Sequence, residues 1–267
     1  MEADAPVWLN GALVRANAAR IDPADRGLLL GDGLFETICV AAGVPCHADR
    51  HIARLRAGAA LLRLVVPAEG TLCDALDAVI TAHRMVDGVL RLTVTRGPGP
   101  RGIMPSGEQC PTVMVTAASL PPAQGPMRVV IARSIARDAA SPLCRIKSLN
   151  YLPSILARIE ADERGAVDAI LLNHAGMVTE SSAATVFLCR NGGWLTPYVA
   201  DGALPGIRRA VLLEAGLVRE ATLEPDWLFE ADALCLGNAL GLRPVSHVDG
   251  RKIRQDEAAI AALAGQR

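Results

Sequence analysis

Two apolar runs, Val7–Leu9 and Ala12–Val14, flank Asn10-Gly11. Asn-Gly supplies the two positive-φ residues of a tight type I′ turn, so this stretch predicts a β-hairpin. A second strand pair is expected over 34–41 and 44–46, with Ala42-Gly43 at the turn. From Arg50 to about Leu64, apolar residues recur at 52, 55, 59 and 62, a helical period, and Asp49 stands where it can cap the start. A further helix is expected from Thr71 or Asp74 to near Asp87-Gly88. Residues 89–95 and 112–118 read as strands on either side of a Gly/Pro-rich loop, 96–102, that carries arginines. Strands with two helices give an antiparallel α+β pattern.

The stretch Leu120-Pro121-Pro122-Ala123-Gln124-Gly125-Pro126 breaks any regular element and reads as a linker. Beyond it the pattern predicts strands at 127–132, 168–173, 177–179, 184–189, 194–196 and 233–236, with helices over 149–164 and 206–215. The expected division is a small N-terminal α+β domain at 1–119, a linker at 120–126 and a C-terminal domain at 127–267. No internal repeat or low-complexity tract is evident.

Composition narrows the function classes. The chain is 51% hydrophobic, so a large core is available. A net charge of -1 gives no broad field for nucleic acid or membrane, and 3% aromatics argues against base-stacking surfaces. The seven cysteines are scattered with no Cys-x-x-Cys pair, which reads as reduced thiols in a cytoplasmic protein. No apolar run reaches the ~18 residues of a membrane span, and no basic-then-apolar leader pattern opens the chain. The histidines and cysteines show no metal-ligand spacing.

Charge usage points to one residue. Only two of the 27 basic residues are lysine, Lys147 and Lys252. Guanidinium stays charged, whereas an amine can lose its proton and attack an aldehyde. Lys252 lies in a polar turn and reads as a solvated charge. Lys147, in Arg145-Ile146-Lys147-Ser148-Leu149-Asn150-Tyr151, is either a helix-start lysine reaching solvent or such an amine. Four further stretches carry candidate chemistry. Leu204-Pro205-Gly206-Ile207-Arg208-Arg209 starts a helix whose first N–H groups suit a phosphate. Arg54, in His51-Ile52-Ala53-Arg54-Leu55, points partly inward and could cap a carboxylate or fork onto a phosphate. Glu180, in Val178-Thr179-Glu180, is either a hairpin-end carboxylate or a partner for a ring nitrogen. Leu236-Gly237-Asn238-Ala239 ends a strand where backbone donors could meet an anion, or simply turn.

In this order the segments resemble the class IV aminotransferases, the fold-type IV enzymes that use pyridoxal 5′-phosphate, over about residues 7 to 250. The resemblance implies a two-domain fold with a smaller N-terminal α/β sandwich and a larger, β-barrel-like C-terminal domain that binds the cofactor. It implies Lys147 as the Schiff-base lysine and Arg54 as a phosphate ligand. Tyr151 would reach the ring hydroxyl and Glu180 the ring nitrogen. Backbone N–H groups at Ile207 and Arg208, with Asn238 and Ala239, would complete the phosphate side. Two positions depart from the family pattern. Arg208 stands where a threonine is usual, which removes a hydroxyl contact. Ala184-Thr185 stands where Ser-Asn is frequent.

Within the family, three features resemble 4-amino-4-deoxychorismate lyase, which releases pyruvate and forms p-aminobenzoate on the folate route. They are Thr37 at the end of Gly31-Asp32-Gly33-Leu34-Phe35-Glu36-Thr37, the loop Arg96-Gly97-x-Gly99-x-Arg101-Gly102, and Asn238-Ala239-Leu240. The resemblance implies Thr37 as a proton-transfer hydroxyl, Phe35 as a substrate contact and Arg101 as a carboxylate anchor. Arg96 and Arg208 are candidates for a second carboxylate. The alternatives are a D-amino-acid or (R)-amine transaminase, against which Ile103 replaces half of an Arg-x-His carboxylate trap, and then a branched-chain transaminase. A small-molecule amino substrate and a homodimer are the expected partners.

Overall fold

In the computed structural model, which describes residues 4–105, 108–122 and 124–265, the chain divides into two compact units. The first is Met1–Pro121 with Ile146–Asn150; the second is Pro122–Arg145 with Tyr151–Arg267. Ala123 of the expected linker lies outside the described residues.

Asn10 and Gly11 take φ of 48° and 99°, and the hairpin they close pairs β1 (Pro6–Leu9) with β2 (Ala12–Arg15). A short helix, α1 (Arg26–Leu30), follows; Asp25 caps it by accepting from the Gly27 N–H. Then come β3 (Gly33–Ala41), β4 (Val44–Pro45), the helices α2 (Ala48–Leu62) and α3 (Glu69–His83), and β5 (Gly88–Thr95) and β6 (Val113–Ala118). The helix α2 starts before Asp49, which falls in its first turn; His47, in the left-handed region, is the residue ahead of it. The strands form one sheet in the order β2-β1-β6-β5-β3-β4.

Strand alternation sorts this sheet into two faces. Leu34, Ile38 and Val40 of β3, with Leu90, Leu92 and Val94 of β5, pack on Ile52, Leu55, Leu72, Leu76 and Val79 of the helices to form the core. Phe35 and Thr37 point the other way.

Ile146–Asn150 belongs to the first unit because it lies along the start of β3. The Phe35 N–H donates to the Lys147 carbonyl and the Leu149 N–H to the Gly33 carbonyl, each at 3.0 Å. A side chain at Gly33 would forbid this approach: its Cβ would lie 2.8 Å from Leu149 Cδ1 and 2.7 Å from the Val94 carbonyl oxygen.

The second unit opens with β7 (Met127–Arg137) and α4 (Leu152–Glu163), then β8 (Asp168–Asn173), β9 (Val178–Ser181), β10 (Thr185–Arg190) and β11 (Gly193–Thr196). It continues with α5 (Ile207–Glu214), β12 (Val218–Glu220), α6 (Trp227–Glu230), β13 (Ala233–Asn238), β14 (Gly241–Val248), β15 (Arg251–Lys252) and α7 (Glu257–Ala264). Its sheet runs β12-β11-β10-β13-β14-β7-β8-β9, with β15 on β14. Its largest apolar cluster joins Val129, Ile170, Val178, Val186, Leu188, Leu234, Leu236 and Val245.

One irregularity in this sheet is compensated by a carboxylate. The pairing of β7 with β8 shifts register between Ile131 and Ala136, and such a break leaves backbone donors without ladder partners. Glu160 of α4 accepts from the N–H groups of Arg133 and Ser134 and from the Ser134 hydroxyl, and it also pairs with Arg164 at 2.7 Å. Burial pushes the Glu160 pKa up, but these donors outweigh it and hold the carboxyl at about 2. A carboxyl depressed from 4.5 to about 2 contributes stability that is present above pH 4.5 and lost as pH falls towards 2. Glu160→Gln should therefore cost roughly 1–2 kcal/mol at pH 7, less than the full shift because solvent screens part of it. In denaturant titrations the gap between mutant and parent should close across that acid window; a gap constant from pH 7 to 2 would remove the carboxylate from the account.

Candidate active site

The Lys147 side chain is half-buried, and its Nζ lies 4.4 Å from the centroid of the Phe35 ring. The backbone bond between Phe35 and Lys147 fixes both residues at the edge of β3. Phe35 is itself 5% exposed, and the Arg91 guanidinium lies 3.7 Å from the same ring. Arg91 is register-paired with Thr37, and Phe35 with Thr93. Amine, aromatic ring, hydroxyl and guanidinium thus gather on one face of the first sheet. Arg91 escaped the sequence reading because only the β3–β5 register shows that it shares this face.

Arg54 lies on α2, which packs on the opposite face. Its Nε donates to Glu36 Oε1 at 2.9 Å and its Nη2 to Oε2 at 2.5 Å, while His51 Nδ1 meets Oε2 at 2.6 Å. Glu36 is fully buried in a strand row otherwise made of Leu34, Ile38 and Val40. Burial pushes its pKa up, but the His51 and Arg54 hydrogen bonds and charges more than offset this and hold the carboxyl below its ordinary value.

Arg96 is taken up by structure. Its Nε and Nη2 grip both oxygens of Asp32, Nη2 also reaches the Leu62 carbonyl, and Nη1 reaches the Arg63 carbonyl and Gln109 Oε1. All five N–H donors of the guanidinium have an acceptor, so the expectation that Arg96 holds a substrate carboxylate is corrected. Burial raises the Asp32 pKa, but Arg96 and Arg26 outweigh it and hold that carboxyl low. Arg26 also donates to the carbonyls of Gly102 and Ile103, which fixes the loop beyond Arg101, itself exposed.

The second unit carries the other expected residues. Glu180, on β9, accepts from Arg137 Nη2 at 2.9 Å through Oε1 and from the Leu204 N–H at 2.9 Å through Oε2. Arg137, at the end of β7, also reaches the carbonyls of Cys144 and Gly202. No local signal marks this arginine, which meets Glu180 only because β7, β8 and β9 lie side by side. Tyr151 stands half-buried at the start of α4. Gly206 precedes α5 with no side chain to cap it, leaving the first-turn N–H groups of Ile207 and Arg208 at the positive end of the helix. A Cβ at Gly206 would lie 2.9 Å from Thr185 Oγ1, so glycine lets the turn approach β10. Arg208 Nε donates to the Asn238 carbonyl at 2.8 Å. Asn238 Oδ1 accepts from the Leu240 N–H and its amide reaches the Ala183 carbonyl, with Ala239 half-buried between Asn238 and Leu240.

The expected residues therefore fall into two sets: Lys147, Phe35, Thr37, Arg54 and Arg101 on the first unit, and Tyr151, Glu180, Ile207, Arg208, Asn238 and Ala239 on the second. Residues 33–248 match the model of the family described as amino-transferase class IV. The chain belongs to the class IV aminotransferases. It is 35% identical over 94% of its length to 90% of a Methanocaldococcus jannaschii protein provisionally named a branched-chain-amino-acid aminotransferase. It is 33% identical over 92% of its length to 89% of the D-alanine aminotransferase of Listeria innocua. The solved structure of 4-amino-4-deoxychorismate lyase from Pseudomonas aeruginosa is 31% identical, covers 97% of each chain and superposes with a TM-score of 0.84.

The architecture is thus the two-domain α+β fold of fold-type IV enzymes, and the protein is a pyridoxal-phosphate-dependent enzyme of this family. Each unit carries residue types whose chemistry fits that cofactor: an amine and a guanidinium on the first, and a helix start, a carboxylate and a phenol on the second. Among the described residues, no helix is long and apolar enough to cross a membrane.

Proposed function

We propose that this class IV enzyme is a 4-amino-4-deoxychorismate lyase that releases pyruvate and forms p-aminobenzoate. The observation that carries this reading is Thr37. Its hydroxyl shares a sheet face with Phe35, the residue whose ring lies 4.4 Å from the Lys147 amine. A hydroxyl on the same face as the amine is suited to pass on a proton.

When bound, pyridoxal phosphate supplies the electron sink for the pair left behind when the carbon bearing the substrate amine loses its proton. Lys147 Nζ takes that proton. The bond from the substrate ring to the enolpyruvyl oxygen breaks, the ring becomes aromatic, and Thr37 passes a proton to the methylene carbon of the departing enol, which leaves as pyruvate. Substrate and products balance with no added water or oxidant. In this reading Arg54 and the N–H groups of Ile207 and Arg208 hold the phosphate, with Asn238 and Ala239 beside them. Tyr151 meets the ring hydroxyl and Glu180 the ring nitrogen. Arg101 anchors a substrate carboxylate, and Arg91 is a second cation for it.

The second reading, a D-amino-acid transaminase, is favoured by the 33% identity to the Listeria enzyme. Purified protein given aminodeoxychorismate should release pyruvate, measured by coupling to lactate dehydrogenase. Turnover of D-alanine with 2-oxoglutarate and no pyruvate from aminodeoxychorismate would replace the lyase reading with the transaminase.

A homodimer in the cytoplasm belongs to the same proposal. The seven cysteines are all free, which agrees with a reducing setting. The helix α4 buries Ala157 and Ala161 but exposes Leu152, Ile155, Leu156 and Ile159, apolar area of the kind a second copy would cover.

A further inference from the structure

We infer that Glu36 and His51 are positioning residues that set the grip of Arg54 on the cofactor's phosphate; this rests on the proposed phosphate role of Arg54. A carboxylate in an apolar strand row is costly unless paired, and core packing alone would favour a hydrophobic residue at 36. Glu36 is nonetheless fully buried among Leu34, Ile38 and Val40 and faces α2. His51 and Arg54, one helical turn apart, both turn to it.

The geometry says what the carboxylate does. An ionised carboxylate only accepts, so His51 carries its proton on Nδ1 and donates to Oε2. Arg54 uses Nε on one oxygen and Nη2 on the other. This two-point contact fixes the plane of the guanidinium, and with it the direction of the third nitrogen, Nη1. His51 in turn stops the carboxylate from rotating away. A long arginine side chain loses rotamer freedom when held, and with the buried pair that cost falls on folding rather than on binding. Arg54 would then meet a phosphate already oriented, with little entropy left to lose.

The inference predicts an effect confined to the phosphate. Apoprotein prepared from the full-length enzyme is titrated with pyridoxal 5′-phosphate and separately with pyridoxal, which shares the ring and aldehyde but lacks the phosphate. Absorbance reports binding, and circular dichroism checks the fold. Glu36→Gln should weaken pyridoxal phosphate about 10-fold or more and change pyridoxal less than about 2-fold. Equal losses for both ligands, or no loss for either, would overturn the inference. Should Glu36→Gln fail to fold, His51→Ala decides, because it keeps the Glu36–Arg54 pair but removes its brace. A loss of several-fold confined to pyridoxal phosphate supports the inference, and an equal or absent loss overturns it. Arg54→Ala separates the two levels of the argument. If it leaves the preference for pyridoxal phosphate over pyridoxal intact, the phosphate role of Arg54 fails. If it removes that preference while the Glu36 and His51 variants keep it, only the positioning inference fails.

Discussion

Lys147→Ala is expected to lower turnover at least ~1,000-fold, within the range that a positioned acid–base group contributes. It should also lose the visible absorption that a lysine-bound cofactor gives. The expectation rests on supply as much as on position. The chain has one other lysine, Lys252, and it is exposed in the short strand β15. The arginines cannot substitute, because guanidinium neither deprotonates nor attacks an aldehyde at neutral pH. Lys147 is half-buried beside Phe35, and its backbone is tied to β3 through its own carbonyl and through the Leu149 N–H that follows. A Lys147→Arg control keeps the charge over the ring and should be as inactive as the alanine variant. Borohydride reduction of the native protein, followed by peptide mass analysis, should find the cofactor on the peptide containing residue 147. A label on Lys252, or a visible band that survives in both variants, would end the assignment.

Local signals were readable in the chain, and long-range partners were not. Asn10-Gly11 announced its hairpin because two adjacent residues suited to positive φ leave few other options. The periodic apolar positions of α2 place that helix to within a few residues. Strand β14 was missed: Gly241–Val248 contains Pro244 and two half-buried basic residues, a pattern that speaks against an interior strand. It nevertheless lies between β13 and β7, where its neighbours supply the hydrogen bonds. The exposed triple Leu28-Leu29-Leu30 forms a helix too short for any periodicity to show. Lysine scarcity singled out Lys147, but nothing local said that residues 146–150 would join the first unit. The same holds for the pairs around the expected ligands. Glu36 meets Arg54 across 18 positions, and Arg137 meets Glu180 across 43 (180 − 137). A sequence shows such charges singly; only strand register and helix packing say which of them meet. Arg96 shows the cost of that blindness, since its loop suggested a substrate ligand and its five donors are all engaged within the first unit.

Glu180→Gln should lower turnover about 100-fold while cofactor affinity falls far less, because the change removes a charge and little volume. A carboxylate beside a pyridine nitrogen favours the protonated ring, and the protonated ring is the stronger electron sink. The second unit holds this carboxylate from two directions, Arg137 at Oε1 and the Leu204 N–H at Oε2. Both partners are donors, and the carboxylate accepts from one at each oxygen. Glutamine can keep the bond from Leu204 through its amide oxygen, but it cannot keep the charge. The loss should therefore fall on the rate constant with KM nearly unchanged, while thermal stability falls modestly because the mostly buried Arg137 loses its charged partner. Arg137→Ala acts one step back. It leaves the charge at 180 but removes a partner that orients it, so a loss of about 10-fold is expected, together with some destabilisation because Arg137 also braces the carbonyls of Cys144 and Gly202. The order of the two variants is the diagnostic. If Arg137→Ala costs as much rate as Glu180→Gln at equal stability, orientation rather than charge governs this side of the site. If Glu180→Gln leaves the rate constant within a factor of two of the parent, the carboxylate does not serve the ring nitrogen, and its pairing with Arg137 is structural.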